Sequence, residues 1–196
     1  MLELSNLIAL RNDRELFSPV TIALSDGECL ELVGANGSGK STLLRTLASL
    51  HDQFIGRFTC ADYLYQGHRL GLDEVMTPLE NLSWFLGMEG LNSEEGRIRE
   101  VLERVDMQDF AHRPCSRMSQ GQKRRISVAR WMLSSRPIWI LDEPFSYLDL
   151  QGIQIVNEVI KEKCSKGGIV VCATHVPLLY EGKTEWSLTP FDGLMQ

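Results

Sequence analysis

A glycine-rich segment at residues 34–42 carries the residues with the clearest chemical potential. It matches the pattern G-x-x-x-x-G-K-[ST], which cradles nucleotide phosphates, through Gly34, Ala35, Asn36, Gly37, Ser38, Gly39, Lys40, Ser41 and Thr42. Glycines let backbone N–H groups turn towards a β-phosphate, and a following helix adds positive charge at its N-terminus. In such a loop the lysine reaches the β- and γ-phosphates and the Ser41 hydroxyl binds Mg²⁺. We predict that this segment binds ATP together with Mg²⁺.

Two adjacent carboxylates end a second informative segment. Apolar residues from Ile138 to Leu141 precede Asp142 and Glu143, so a buried strand is expected to deliver both acids at its C-terminal end. There Asp142 can hold Mg²⁺ through its water shell, and Glu143 can polarise an attacking water as a general base. A strand followed by an acidic helix cap is the alternative interpretation, and the phosphate loop upstream makes it the weaker one.

A third segment begins a helix. Ser119 and Gln122 have the S-x-x-Q spacing of a capping box, which starts a helix and needs no further function. The same helix start presents free N–H groups and a small hydroxyl to an anion. The basic run Lys123-Arg124-Arg125 follows directly. It could bind an anion locally, but we expect it to form the solvated face of that helix.

The order of the predicted elements indicates how these segments are positioned. A strand at residues 29–33 runs into the phosphate loop, a helix follows at 41–48, and residues 61–66 form another strand. A helical region then extends from about residue 77 to residue 133, with helix starts at Thr77, Ser93 and Ser119. Strands at 138–142 and 169–174 flank a helix at 153–164. Strands that alternate with helices predict an α/β fold with a mostly parallel sheet, into which the helical region is inserted.

Residues 118–122 resemble the LSGGQ signature of the ABC-type ATPases. Gln120 stands where that family has its first glycine and Met118 where it has leucine, while Ser119 and Gly121 are retained. The resemblance implies that Ser119, Gly121 and Gln122 face the γ-phosphate of an ATP molecule held by a second copy of the chain. It therefore implies a homodimer that encloses two ATP molecules.

Other ABC elements occur at the expected places. Residues 146–149 resemble the D-loop, which signals between the two sites, and His175 resembles the switch histidine that contacts the γ-phosphate. The resemblance implies one ABC-type P-loop NTPase domain: a core with an N-terminal antiparallel β portion at 1–76 and 134–196, and a helical subdomain at 77–133. A GTPase is excluded because no N-K-x-D guanine motif is present.

Two expected nucleotide contacts depart from the family pattern. The aromatic residue that stacks on adenine is missing, and its place falls near Arg11, whose planar guanidinium could stack there instead. The glutamine of the family's Q-loop falls on His68, while Gln66 lies two residues earlier. Either could contact the metal-bound water and sense the membrane partner, and the loop length favours His68.

Several loops are most similar to the ATPase subunit of the cytochrome c biogenesis (Ccm) system, the haem exporter ATPase. They are residues 65–68, 77–82, 119–125, 139–145 and 167–170. This resemblance implies a peripheral subunit on the cytoplasmic face of a bacterial or mitochondrial inner membrane. It would dock on multi-spanning membrane subunits and drive haem export or delivery for cytochrome c maturation.

The sequence is also compatible with two other functions. One is the ATPase of another exporter, such as a lipoprotein or peptide exporter, and the other is a soluble ABC protein that acts as a clamp or assembly factor. The apolar and aromatic residues 82–86 lie where transporters of this family receive a helix of the membrane subunit. Packing within the helical region explains most of them equally well.

The composition of the chain argues against some classes of binding partner. The net charge of −6 and the pI near 5.3 argue against nucleic acid as the main partner. No stretch approaches the roughly 18 apolar residues of a membrane span, and the N-terminus lacks the pattern of a signal peptide, so we expect the chain to stay in the cytosol. Five scattered cysteines include no CxxC pair for zinc and no CxxCH for haem, so we expect that this chain does not bind haem itself.

Overall fold

The computed structural model describes residues 1–92 and 94–191, in which strands alternate with helices. The strands are β1 (Leu2–Arg11), β2 (Arg14–Glu15), β3 (Val20–Leu24), β4 (Cys29–Val33), β5 (Phe54–Cys60), β6 (Tyr63–Gln66), β7 (Ile138–Asp142), β8 (Ile169–Ala173) and β9 (Lys183–Ser187). The helices are α1 (Lys40–Leu47), α2 (Pro78–Met88), α3 (Glu95–Arg104), α4 (Gln120–Leu133) and α5 (Leu150–Ser165), with 3-10 turns at Gln108–Phe110 and Cys115–Arg117.

A parallel sheet has the strand order β6-β7-β8-β4-β9. Strands β7 and β8 are buried along their whole length, which explains why both read as continuous apolar runs instead of alternating patterns. The predicted strand at 138–142 is confirmed, and the strand predicted to reach residue 174 ends at Ala173.

A second, antiparallel sheet is built around the long strand β1, which pairs with β2, β3 and β5. Its inward side chains join the same apolar core as α1 and the buried strands, with Leu2, Leu7, Phe17, Leu43 and Ile140 at most 1% exposed. The predicted fold class is therefore confirmed: an α/β fold with a parallel sheet and an N-terminal antiparallel β portion.

The described chain divides into two compact units. The first contains residues 1–67, 136–144 and 160–191, and the second contains residues 68–135 and 145–159. In neither unit does the described chain contain a helix with the length and apolar character needed to cross a membrane.

Two helices of the second unit, α2 and α4, begin with capping boxes. Thr77 begins α2 through a complete capping box with Glu80, as its sequence predicts. Helix α3 begins after Glu94, and its apolar face is buried through Ile98, Val101 and Leu102. The helix start predicted at Ser93 lies outside the described residues.

Helix α4 corrects one prediction. Lys123, Arg124 and Arg125 are 7%, 1% and 8% exposed, so the interpretation of this run as a solvated helix face is wrong. The helix is buried on most sides, and long basic side chains can be buried where their aliphatic stems pack and their charged ends meet polar groups. Here Lys123 reaches Glu74, and Arg125 reaches Asp149.

Candidate functional site

The carboxyl ends of the parallel strands bring most of the predicted site residues of the first unit, though not Arg11, to one sheet edge. Ala173 at the end of β8 lies between Leu32 of β4 on one side and Asp142 of β7 on the other. Gln66 ends β6 opposite Leu141, the residue before Asp142. Ligands of open α/β sheets bind outside this edge because every connecting loop leaves the strands there.

The phosphate loop joins β4 to α1 at that edge. Its glycines Gly34, Gly37 and Gly39 all have positive φ angles, of 147°, 84° and 97°. Lys40 is 7% exposed, and its Nζ donates to the carbonyl oxygens of Gly34 at 2.7 Å and Ala35 at 3.1 Å. The ammonium group is therefore held inside the loop, where its charge favours an anion.

Two further features of the loop fit a phosphate. Among the described residues, the Ser38 hydroxyl oxygen is buried without a hydrogen-bond partner, which is uncommon for a buried polar atom unless a ligand satisfies it. Helix α1 begins at Lys40, so the N–H groups of Lys40, Ser41 and Thr42 lie in a first turn that lacks internal acceptors. Ala35 and Asn36 are exposed at the tip of the loop.

The ring of Phe17 packs against the phosphate loop at Gly39, a contact that the sequence did not reveal. A Cβ atom added to Gly39 would lie 2.6 Å from Cδ1 of Phe17, so this glycine allows the loop to rest directly on the ring. Phe17 follows the β1–β2 hairpin, in which the exposed Arg11 pairs with Arg14. Arg11 therefore lies on the hairpin that precedes Phe17, the residue on which the phosphate loop packs. The contact of Arg11 with adenine stays a prediction.

Ser41 and Asp142 meet although they are 101 residues apart in sequence. The Ser41 hydroxyl donates to Oδ1 of Asp142 at 3.0 Å, and Asp142 is 2% exposed. A hydroxyl and a carboxylate are the hard oxygen ligands that Mg²⁺ prefers, and Mg²⁺ takes few protein ligands because it keeps waters and substrate phosphates. The described residues contain no cluster of three His, Cys, Asp or Glu side chains that could hold a metal. The Ser41 hydroxyl and the Asp142 carboxylate are ligand types that fit Mg²⁺ bound together with a nucleotide.

Glu143 and His175 form a pair beside that oxygen site. Glu143 has a φ of 52°, a strained value for a residue with a side chain, and its N–H donates to the Ala173 carbonyl at 2.8 Å. Nε2 of His175 lies 3.5 Å from Oε1 of Glu143, and the two side chains are 54% and 18% exposed. A carboxylate in contact with a half-exposed imidazole suits a general base that must meet an incoming water.

The two Q-loop candidates fall in different surroundings. Gln66 is 1% exposed at the end of β6, where its Nε2 donates to the carbonyl of Gly67 at 2.9 Å. His68 is exposed and begins the second unit. The strand register thus places Gln66 next to the strand of Asp142.

The second unit contains the residues predicted to form the signature. Ser119 caps α4, and its Oγ accepts from the N–H of Gln122 at 3.2 Å while Oε1 of Gln122 accepts from the N–H of Ser119 at 3.0 Å. The carbonyl group of the Gln122 side chain is therefore engaged in the cap. A Cβ atom on Gly121 would lie 2.7 Å from the carbonyl oxygen of Tyr147, so this glycine is required for close packing within the chain.

Arg125 holds the segment predicted to be the D-loop, a contact that the sequence did not reveal. Its guanidinium donates to Oδ1 of Asp149 at 2.9 Å and to the carbonyl of Val105 at 3.1 Å. The N–H of Gly152 and the charge of Arg125 hold the pKa of Asp149 below its usual range. The basic run itself was the available signal, but its burial could not be read from the sequence.

The apolar stretch at residues 82–86 has two kinds of side chain. Leu82 and Leu86 are fully buried, whereas Trp84 is 59% exposed. Trp84 lines a cleft of about 510 Å³ whose other walls include Leu79, Ile98 and His112. Packing therefore explains the leucines and leaves the tryptophan available to a partner.

Comparison with known proteins agrees with this geometry. Residues 17–146 match the family model described as ABC transporter. The chain is 35% identical over 187 residues to the cytochrome c biogenesis ATP-binding export protein CcmA of Saccharophagus degradans, covering 86% of this chain and 84% of that protein. It is 38% identical over 191 residues to CcmA of Pseudomonas aeruginosa, covering 91% and 94%. Among solved structures, an ABC transporter ATP-binding protein from Pyrococcus furiosus has the same fold, with a TM-score of 0.84 at 22% identity over 94% of this chain and 96% of that one.

Proposed function

Because this chain belongs to the ABC transporter ATPases, in the group of the cytochrome c biogenesis ATP-binding export proteins, we propose that it drives haem export or delivery by hydrolysing ATP between two copies of itself. The observation that carries the hydrolytic part is the sheet edge of the first unit. There the phosphate loop, the Ser41–Asp142 pair and the Glu143–His175 pair are brought together by adjacent strand ends.

Each residue of this edge has a role in hydrolysis. Lys40 neutralises the β- and γ-phosphates. Ser41 and Asp142 would hold Mg²⁺, which would supply further charge neutralisation at the phosphates. Glu143 accepts the proton of the attacking water while the oxygen of that water bonds to the γ-phosphorus. The bond between the γ-phosphorus and the oxygen that bridges to the β-phosphate breaks, and ADP leaves. His175 orients that water or the γ-phosphate. Gln66, next to the strand of Asp142, is our preferred Q-loop residue over His68.

The second copy supplies the signature. Ser119 is exposed at the N-terminus of a 14-residue helix, and its oxygen is already used as an acceptor in the cap. The hydroxyl hydrogen and the N–H groups of Gln120 and Gly121 therefore remain suited to donate to an anion. This supports a role for Ser119 and Gly121 at the γ-phosphate bound by the partner copy. We also propose, from the family pattern alone, that Arg11 of each copy lies beside its own adenine.

Membrane subunits are the proposed recipients of the resulting motion. The exposed Trp84 and its cleft offer an apolar anchor for a segment of a multi-spanning partner at the cytoplasmic face of an inner membrane. The relatives named for cytochrome c biogenesis support haem as the cargo of the complex. On this proposal the cargo contacts the membrane subunits, and this chain does not bind haem.

A Glu143→Gln variant of the full chain tests the hydrolytic proposal. We expect it to bind ATP, to hydrolyse it very slowly and to accumulate as an ATP-dependent dimer in size-exclusion chromatography. Glu185→Gln, which changes an exposed carboxylate on β9, is the matched control and should keep normal turnover. Normal turnover by Glu143→Gln would refute the assignment of the general base.

Affinity purification from membranes tests the cargo and partner. A stable complex with a multi-spanning protein of cytochrome c maturation is the expected result. Recovery with the membrane subunit of a lipoprotein or peptide exporter would overturn the haem assignment, and recovery of the chain alone would favour a soluble ABC protein.

A further inference from the structure

Lys123 is a buried cation next to the signature segment that the proposed mechanism does not use. Its side chain is 9% exposed, and Nζ lies 2.7 Å from Oε1 of Glu74, whose side chain is 64% exposed. The backbone N–H of Lys123 donates to the carbonyl of Ser119 at 3.0 Å, which is an i to i−4 bond of the first turn of α4. One residue thus joins the signature serine, through its backbone, to a distant carboxylate, through its side chain.

Glu74 is itself held in place by the segment that leads into the signature. Its carbonyl accepts from the N–H of Ser116 at 2.7 Å, and the carbonyl of Met76 accepts from the N–H of Cys115 at 3.0 Å. These two bonds pin residues 74–76 against the chain that enters α4. The Glu74 carboxylate therefore extends from a backbone with little freedom.

A buried amide secures the other side of the same segment. Asn81, 6% exposed in the first turn of α2, donates through Nδ2 to the carbonyls of Asp73 at 2.9 Å and Thr77 at 3.1 Å. Its Oδ1 accepts from the N–H of Asp73 at 2.8 Å. Residues 73–77 are thus hydrogen-bonded both to the start of α2 and to the entry of α4.

We propose that Lys123 is a positioning residue that sets the orientation of the signature segment by anchoring the first turn of α4 to Glu74. The proposal rests on the function proposed above, in which Ser119 and Gly121 contact ATP bound by a second copy. A lysine attached at both its backbone and its ammonium group leaves the first turn of α4 little freedom to rotate about the helix axis. The N–H groups of that turn, and the Ser119 hydroxyl, are therefore aimed before a second copy arrives.

The energetic reason for the pair is the burial of the ammonium group. A buried cation that loses its partner is costly, so the first turn of α4 would shift to bring Lys123 to water if Glu74 were absent. Replacing the lysine by methionine keeps the apolar stem and removes that driving force, but it also removes the anchor. The signature would then sample a wider range of positions, and misplacement by about 1 Å costs roughly 10- to 100-fold in rate.

The test compares full-length variants in which the charge is removed or the pair is inverted. Lys123→Met should lower kcat for ATP at least about tenfold and leave KM and the Kd of the monomer for ATP nearly unchanged, since the phosphate loop lies elsewhere in the chain. Lys123→Arg and the reversed pair Glu74→Lys with Lys123→Glu should recover most of the lost kcat. The control is Lys166→Met, which removes an exposed pair with Glu162 and should change nothing.

Trapping experiments separate this inference from the function on which it rests. In a Glu143→Gln background, Lys123→Met should reduce the ATP-dependent dimer about tenfold, with the melting temperature within a few degrees of the parent. Equal dimer formation with and without Lys123→Met would overturn the inference alone. A Glu143→Gln chain that never dimerises with ATP would overturn the shared site and this inference with it. Loss of monomer ATP binding or of folding by both Lys123→Met and Lys123→Arg would also overturn it, because the lysine would then be a general structural residue.

Discussion

Replacement of Gly121 by alanine tests the packing between the start of α4 and residues 146–149, the proposed D-loop. Gly121 is the second residue of α4, and a Cβ atom there would lie 2.7 Å from the carbonyl oxygen of Tyr147, where ordinary contact begins at 3.4 Å. The D-loop backbone or the helix must therefore move by about 0.7 Å, the difference between these two distances. Because Tyr147 precedes Asp149 by two residues, the shift reaches the segment that Arg125 holds.

The chain contains a matched control for this change. Gly96 is the second residue of α3, and a Cβ atom there meets nothing within 4 Å. Gly96→Ala should therefore receive the helix-propensity gain of up to about 1 kcal/mol without a clash. Gly121→Ala receives the same gain and loses about 1–3 kcal/mol to overpacking. The difference between the two variants thus isolates the contact with Tyr147.

Thermal unfolding and steady-state ATPase assays measure the two consequences. A difference of about 2 kcal/mol corresponds to about 4–8 °C in melting temperature for a chain of this length, with Gly121→Ala the lower. We expect Gly121→Ala to lose at least about tenfold in kcat and to bind ATP normally as a monomer, because the phosphate loop is unchanged. Gly96→Ala should match the parent in kcat. If both alanine variants had the same melting temperature and kcat, the packing argument for Gly121 would be wrong.

Three further predictions address other parts of the molecule. Lys183→Met leaves the 2%-exposed Glu31 without its cation and should lower the free energy of unfolding in urea by about 2–3 kcal/mol. This is somewhat below the range for fully buried pairs because Lys183 is 22% exposed. An unchanged urea midpoint would contradict this prediction. The pKa of Asp149 is lowered, mainly by the hydrogen bond from the Gly152 N–H. The contribution of ionised Asp149 to the stability of the fold is therefore complete above the ordinary carboxylate pKa and is lost as the pH falls through the lowered pKa. Asp149→Asn should flatten the acid side of a plot of melting temperature against pH. Trp84→Ser should keep the ATPase activity of the isolated chain. It should reduce recovery of the membrane partner in pull-downs about tenfold or more, as expected for the loss of an aromatic interface anchor. Equal recovery would exclude the cleft as the docking site.

Local physics made most elements predictable. Both capping boxes, Thr77 with Glu80 and Ser119 with Gln122, were predicted because caps depend on residues three positions apart. Strand β7 was predictable because a fully buried parallel strand must be continuously apolar. The strand predicted at 61–66 begins only at Tyr63, and such boundaries are decided by pairing, here with Ile138 across the sheet.

Some features of the candidate site could likewise be predicted from local sequence, and others depend on the fold. The phosphate loop could be identified from its own nine residues, since its glycines, lysine and hydroxyl act within a single turn of chain. The meeting of Ser41 with Asp142 depends on the strand order, and so does the proximity of His175 to Glu143. The exposure of Trp84 beside two buried leucines depends on how α2 packs. No pattern of neighbours in sequence encodes those three facts.

Sequence alone indicated a nucleotide-hydrolysing chain, because the glycine-rich loop, the two acids and the capped start of α4 are each short runs with local chemistry. Only the tertiary structure decided that the basic residues after the signature are buried, that Lys123 reaches Glu74 and that Gly121 meets the backbone of Tyr147. The physical reason is burial. The same charged run is favourable on a solvated face and inside a unit that supplies partners, and the position of those partners is a property of the packed chain.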